Sequence, residues 1–151
     1  MSENSSREQT LEHKRMIAHF IGEIIKELID RMNEHDDTKL QNPEVALFDE
    51  FTPKLAGCTY DSEEYREFLK KMKPALDHHY AHNRHHPEHF PSGVKDMDLI
   101  DLIEMLCDWK AASLRHTNGN ILKSIEINQD KFEYTKELSE IFKNTVKRFE
   151  K

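Results

Sequence analysis

A long stretch of helical periodicity near the start of the chain limits what it can fold into. Ser5 or Ser6, with Glu8 or Gln9 three residues on, forms a capping-box pattern that begins a helix. The stretch predicts one amphipathic helix to about Met32, with residues 1–6 as a flexible N-terminus. Its apolar residues recur at helical spacing and share one face: Ile17, Phe20, Ile21, Ile24, Ile25, Leu28, Ile29 and Met32.

The rest of the chain continues the helical pattern in shorter segments, with no strand alternation and no repeat. We therefore predict an all-α fold of five to six helices around one core, formed by residues 1–151 as a single domain. A helix over 43–51 is expected to begin at Asn42-Pro43 and to be followed by a loop over 52–59. The next helix begins at Asp61 or Ser62 and is kinked at Pro74, with a helix end or sharp bend at Pro87 and a turn over 90–93. A helix over 96–115 is closed by Asn118-Gly119-Asn120, and one or two helices follow over 121–149. Residues 116–151 are expected to pack on the core.

Composition excludes several classes of protein. The 151 residues are 36% hydrophobic and 34% charged, with four Gly and five Pro, which is typical of a soluble helical protein. The net charge of -7 argues against binding to duplex nucleic acid. Cys58 and Cys107 are too few for a disulfide framework, and no window reaches the roughly 18 apolar residues of a membrane span. Because the N-terminus also lacks an apolar signal region, we expect a cytoplasmic protein without membrane association.

Histidine is concentrated in one short segment. Six of the ten histidines lie in the run HHYAHNRHHPEH over 78–89, which is typical of a metal site because neutral imidazoles are good ligands. His79 continues the apolar stripe of the preceding helix, and His82 and His86 follow it at i+3 and i+7, so these three are predicted ligands. The other three histidines of the run, His78, His85 and His89, are expected to face water or substrate. The choice of ligand between His85 and His86 stays open.

Two further candidates lie upstream. His13 shares the apolar face of the long helix and is predicted to point inward, whereas His19 lies on the charged face. His35 and Asp36 are adjacent, so both can reach one site only if the backbone bends there or if they bind two different ions. Each of these residues also has a purely structural interpretation. His13 would then be a histidine at the edge of the core with a hydrogen bond to a carbonyl, and His35-Asp36 would be part of a polar cluster at a helix end.

An acidic stripe marks the helix over 96–115. Asp101, Glu104 and Asp108 follow at i, i+3 and i+7, which is most often a solvated face. Asp108 lies between Cys107 and Trp109, so it is the best candidate for a buried carboxylate. Asp101 is expected to be exposed and Glu104 to be intermediate.

The order of these residues resembles a known family. His13, His35-Asp36, the downstream histidines and Asp108 are similar to the H…HD…D signature of the HD superfamily of metal-dependent phosphohydrolases. The run from His35 to Lys39 is similar to the HDxxK form of its HD-GYP branch. The segments 85–88 and 107–111 resemble that branch's HHE segment and late aspartate helix. The chain lacks the GYP run, so cyclic dinucleotide specificity is not implied, and as a whole it looks closest to small uncharacterised HD-like proteins of phages and bacteria.

This resemblance implies an HD-like helical bundle and a set of roles. One or two divalent ions (Mn, Fe, Co, Ni, Zn or Mg) would act on a small-molecule, nucleotide-like phosphate substrate. Asp36, Lys39 and Glu104 would be catalytic, and Lys39, Arg84 and Arg115 would meet the phosphate. The implied ligands of the first ion are His13, His35, Asp36 and Asp108, and those of the second come from His79, His82, His85 and His86, with Asp36 as a bridge.

Other functions fit the same residues. The ligand order is also similar to that of HD-type di-iron oxygenases, because the ligand set is shared and only the metal and the pocket differ. A non-catalytic HD module that senses a nucleotide or binds a partner protein is the third reading. A ferritin-like di-iron bundle and a zincin are excluded, since their Glu-x-x-His and His-Glu-x-x-His motifs are absent. The last helix could cover the core or pair with a second copy in a homodimer.

Overall fold

The computed structural model describes residues 5–59, 62–115 and 119–150 of the chain. The described residues form six α-helices and short 3-10 segments, without a strand, so the all-α prediction is confirmed. The chain divides into two units, 1–34 and 35–151. The α-helices are α1 Ser6–Glu34, α2 Glu44–Ala56, α3 Glu63–His82, α4 Leu99–Ser113, α5 Ile121–Phe132 and α6 Lys136–Val146.

The first unit consists of α1. The predicted capping box is present: Glu8 Oε2 accepts a hydrogen bond from Ser5 N at 2.7 Å, and Ser5 Oγ accepts one from Glu8 N at 3.3 Å. No residue of α1 is buried, and its apolar face includes Phe20 at 59% exposure and Met32 at 70%. Taken by itself, this unit is an amphipathic helix.

In the second unit, side-chain caps set where several helices begin. Ser62 caps α3 by accepting from Tyr65 N, as its position in the sequence predicts. Asp98 and Asp101 form a capping box that begins α4 at Leu99 rather than at Asp96. At the starts of α5 and α6, single side chains act as caps: Asn120 accepts from Leu122 N and Lys123 N, and Thr135 accepts from Leu138 N. The C-terminal region is thus two helices, separated by Glu133 in the left-handed region at φ 53.

The expectation of a loop over 52–59 is wrong for most of its length. α2 continues to Ala56 and includes Pro53, so residues 52–56 are helical. α3 runs from Glu63 to His82 and includes Pro74, and the kink expected at that proline stays a prediction. Asp61 and Asn118, which were expected to bound helices, lie outside the described residues.

The hydrophobic core of the second unit lies among α4, α5 and α6. Met105, Ile125 and Val146 are at most 1% exposed, and Tyr134 donates a hydrogen bond to the Ile125 carbonyl at 2.6 Å. Trp109 packs edge-on against Phe142, with ring centroids 5.9 Å apart. Burial of side chains of this size contributes roughly 1.5–3 kcal/mol each, so this core anchors α4 against α5 and α6.

The helices α2 and α3 pack against each other in the same unit. Phe51 and Phe68 meet between them, with ring centroids 5.9 Å apart. α3 ends at His82, and the chain then passes through the 3-10 segment Pro87–His89. The histidine-rich segment therefore begins on a packed helix and continues into an irregular, largely buried connection. A membrane-spanning helix is not found among residues 5–59, 62–115 and 119–150, since each helix there is too short or too polar to cross a bilayer.

Candidate metal centre

The backbone conformation at Asp36 brings the side chains of His35 and Asp36 to the same side of the chain. Its φ of 60 and ψ of 14 are left-handed, a conformation that Asp tolerates better than most residues. His35 Nε2 lies 3.5 Å from Asp36 Oδ2. The bend required for His35 and Asp36 to share a site is therefore present.

One oxygen of Asp36 faces three histidine rings. Oδ1 lies 3.3 Å from His79 Nε2 and 3.5 Å from His85 Nε2, and His79 Nε2 lies 2.9 Å from His86 Nε2. One ligand atom from each of the four residues fits within a mutual distance of 4.8 Å. Metal–ligand bonds of about 2.1 Å place neighbouring ligands about 3.0 to 3.4 Å apart, so this spacing fits one divalent ion.

Two atoms of this group are buried without a hydrogen-bond partner. Among the residues that the structure describes, they are Asp36 Oδ1 and His85 Nε2. An unsatisfied buried polar group costs about 1–3 kcal/mol, and more when the group is charged. A cation held between the two atoms would remove that cost. The donor set and its unsatisfied atoms thus fit a metal ion.

The other oxygen of Asp36 faces a second possible ligand group, formed by His35, Asp36 and Asp108. His35 Nε2 lies 3.8 Å from Asp108 Oδ1. Asp36 therefore offers one oxygen to each group, which is the arrangement of a bridging carboxylate in a two-metal site. Both groups lie within the second unit of the chain.

Glu104 lies behind two of the histidine rings. Its Oε1 is 2.9 Å from His35 Nδ1 and 3.0 Å from His85 Nδ1. These three residues could also be grouped as ligands of an ion. We assign the contacts as hydrogen bonds, because both distances are ordinary for N–H···O and both rings then turn Nε2 toward Asp36. This contact gives Glu104 a positioning role, and the catalytic role expected from the sequence stays a prediction.

The electrostatics of the cluster favour positive charge. Hydrogen bonds to Asp108 and Glu104 raise the pKa of His35 to about 10 against the opposing effect of burial. Burial alone would raise the pKa of Asp36, but the neighbouring His79 ring and the Lys39 ammonium outweigh it and the pKa is lowered. Asp36 is therefore a carboxylate at neutral pH, and His35 holds a proton where a metal would compete for its nitrogen.

His86 and Asp108 also reach the forms that a metal requires. Burial, assisted by His85 and His79, lowers the pKa of His86 to about 3, so the ring is neutral. Burial would raise the pKa of Asp108, but a hydrogen bond from His35 outweighs it and lowers that pKa. Neutral imidazole and ionised carboxylate are the forms that bind metal.

The cations predicted to meet phosphate have different surroundings. Lys39 Nζ contacts Asp36 Oδ2 at 2.6 Å and its side chain is 38% exposed, so it lies at the cluster. Arg84 instead makes a two-pronged pair with Asp101, Nε to Oδ1 at 3.0 Å and Nη2 to Oδ2 at 2.8 Å. This pair gives Arg84 a structural role, and the substrate-binding role expected for it stays a prediction. Arg115 is exposed beyond the end of α4, and its role stays a prediction.

The expectation that Asp101 is exposed is wrong, since this carboxylate is fully buried. The cause is the Arg84 side chain, which neutralises it, together with its place in the capping box of α4. Sequence periodicity does not reveal such a partner, because Arg84 comes from a different segment.

The histidines expected from periodicity divide into three outcomes. His79 and His86 belong to the group that could hold an ion, and their role as ligands stays a prediction. Periodicity directs His85 toward water or substrate, with the choice between His85 and His86 open; His85 is 1% exposed and belongs to the same group. His82 is exposed: its Nδ1 donates to the His78 carbonyl at 2.7 Å, and it is not in any ligand group found among the described residues. His82 is the last residue of α3, and its ring stacks on the ring of His78, with centroids 4.1 Å apart.

The two N-terminal histidines both lie on α1. His19 is exposed, as predicted. Within this unit taken by itself His13 is exposed as well, and the inward orientation expected for it stays a prediction. The ligand groups found in the described residues come from 35–151, and the assignment of His13 as a ligand stays a prediction.

Sequence reasoning missed Glu44, a fully buried acid that accepts hydrogen bonds from two histidines of the cluster. Burial would raise its pKa, but hydrogen bonds from His78, Thr38 and His79 outweigh it and the pKa is lowered. Nothing in the sequence marks Glu44, because an acid in the first turn of a helix is common on protein surfaces.

The second unit is thus a helical domain whose buried histidine and carboxylate groups could hold metal ions. The chain matches the family of unknown function DUF5662 over residues 2–151, and it belongs to that family. No curated protein and no solved structure matches it.

Proposed function

We propose that the chain is a metal-dependent phosphohydrolase of the HD type that acts on a nucleotide-like phosphate ester. The observation that supports this best is the Asp36 carboxylate, whose two oxygens face two separate ligand groups. The order of His35, Asp36, the later histidines and Asp108 along the chain agrees with the HD signature.

Divalent ions bound in such a site activate water near neutral pH and stabilise charge on phosphate oxygens. The chain's own residues prepare the site for this chemistry. Glu104 holds His35 and His85 with Nε2 toward Asp36. Because His79 and His85 are at most 2% exposed, bulk water has little access to that side of the cluster.

Lys39 is the residue that we assign to the substrate. Its ammonium contacts Asp36 Oδ2 on the side of the second ligand group, where it contributes a positive charge. When that oxygen binds an ion, Lys39 would turn to a phosphate oxygen of the substrate, within reach of its flexible side chain.

The test is phosphate release from a panel of nucleoside monophosphates, diphosphates and cyclic nucleotides, with protein reloaded in turn with Mn²⁺, Co²⁺ and Fe²⁺. We expect release with at least one ion and its loss in Asp36→Asn, since Asn tolerates the left-handed backbone but carries no charge. His82→Ala, an exposed histidine of the same segment, should retain full activity. Oxygen uptake without phosphate release would contradict this proposal and favour an HD-type di-iron oxygenase. Bound metal without either activity would contradict it and favour a non-catalytic binding module.

A further inference from the structure

Glu44 is a fully buried carboxylate in the first turn of α2. Buried acids are rare unless they are paired, and Glu44 has three donors. Its Oε1 accepts a hydrogen bond from His78 Nδ1 at 2.7 Å. Its Oε2 accepts from His79 Nδ1 at 2.8 Å and from Thr38 Oγ1 at 3.0 Å.

The contact with Glu44 fixes which nitrogen of His79 faces the ligand group. A neutral imidazole has one N–H and one bare nitrogen, and a carboxylate beside Nδ1 keeps the proton there. The bare Nε2 is then the atom that lies 3.3 Å from Asp36 Oδ1 and 2.9 Å from His86 Nε2. His79 is 2% exposed, so water offers little alternative to this partner.

The surroundings hold Glu44 and His79 in this relationship. Thr38, which donates to Glu44, lies in the 3-10 segment directly after Asp36. Asn83 Nδ2 donates to Thr38 Oγ1 at 2.8 Å and to the His79 carbonyl at 2.8 Å. One network therefore connects α2, the end of α3 and the segment that carries Asp36.

We propose that Glu44 is a positioning residue of the metal centre, which holds His79 with Nε2 toward the ion and strengthens it as a ligand. The inference rests on the metal site proposed above. Carboxylates placed behind a ligand histidine in this way commonly change metal affinity by about 10-fold to 100-fold when they are removed.

The experiment compares Zn²⁺ affinity, measured by competition with a chromophoric chelator, in the wild-type chain, Glu44→Gln and Asp101→Asn. Asp101 is the matched control, because it is also fully buried in the first turn of a helix but is paired with Arg84. We expect about 10-fold to 100-fold weaker Zn²⁺ binding in Glu44→Gln and unchanged binding in Asp101→Asn. Glu44→Ala should bind Zn²⁺ more weakly still. If Glu44→Ala does not fold, the affinity of Glu44→Gln alone decides whether Glu44 positions His79.

A second readout separates positioning from general support of the fold. Long-range ¹H–¹⁵N NMR spectra of the Zn²⁺-loaded wild-type chain should show His79 with a proton on Nδ1 and metal on Nε2, and Glu44→Gln should lose this single form. Equal weakening in Glu44→Gln and Asp101→Asn, or unchanged affinity in Glu44→Gln, would overturn the role of Glu44 and leave the metal site standing. Absence of Zn²⁺ binding in the wild-type chain would overturn both.

Discussion

The rings of His35 and His85 lie side by side with their centroids 4.5 Å apart, and both turn Nδ1 to the same oxygen of Glu104. Two segments far apart in the sequence thus present matched Nε2 atoms to the two oxygens of Asp36. A single carboxylate on α4 sets the orientation of both rings. This relationship supports the proposal that the cluster holds two metal ions.

Glu104→Gln should weaken binding of both proposed ions, because Glu104 contacts one histidine of each ligand group. Substitution of a single histidine should affect one ion only. The amide keeps the size of the side chain but loses the charge that holds both rings, and we expect about 10-fold to 100-fold lower affinity. Chelator competition with Co²⁺ measures it. Asp101→Asn, one turn earlier on α4, is the control, and equal affinities in the wild-type chain and Glu104→Gln would contradict the positioning role.

The histidine cluster offers a matched pair of substitutions. His85→Ala removes a buried ring whose Nε2 faces Asp36, so we expect loss of bound metal. His82→Ala removes an exposed ring of the same segment and should leave metal content unchanged. Elemental analysis of the two purified variants measures the difference. The reverse result, metal lost in His82→Ala and kept in His85→Ala, would restore the ligand choice that periodicity favours.

Arg84→Ala should affect stability and leave metal binding intact. Loss of the guanidinium leaves the buried Asp101 carboxylate without its charged partner, which we expect to cost about 1.5–3 kcal/mol of unfolding free energy. Urea denaturation followed by circular dichroism measures the change. A variant with wild-type stability and a raised KM for a phosphate substrate would instead support the substrate role expected from the sequence.

Stability of the metal-free protein should fall as the pH rises above neutrality. The pKa of His35 is raised from 6.5 to about 10 by hydrogen bonds to Asp108 and Glu104. A raised pKa contributes stability that is complete below about pH 6.5 and is lost as the pH passes through about 10. Denaturation of metal-stripped protein between pH 6 and 10 should show this decline in the wild-type chain and a smaller one in His35→Gln. Parallel pH profiles would contradict the assigned protonation of His35.

Much of the fold follows from local sequence signals. The spacing of apolar residues predicts the helices, and Ser5 and Ser62 predict where two of them begin, because capping depends on neighbours within one turn. The loop expected over 52–59 is an exception, since α2 continues through Pro53 to Ala56.

The site was predictable only in part. His79 follows a helical stripe, so its burial could be inferred, whereas His85 lies beyond the end of α3, where periodicity gives no direction. Glu44 and Asp101 look like surface acids in sequence, and their burial depends on partners from other segments. Such pairings are set by the three-dimensional fold and leave no short-range pattern.

The most direct test of the central claim is the number of metal ions bound per chain. Purified protein and its Asp36→Asn variant would be stripped of metal, reloaded with Mn²⁺ or Co²⁺ and measured by elemental analysis after removal of free ions. We predict two ions per wild-type chain and a clear loss in Asp36→Asn, because Asp36 is the residue shared by both ligand groups. Wild-type protein that retains no ion, or an Asp36→Asn variant that retains both, would contradict the proposed metal centre.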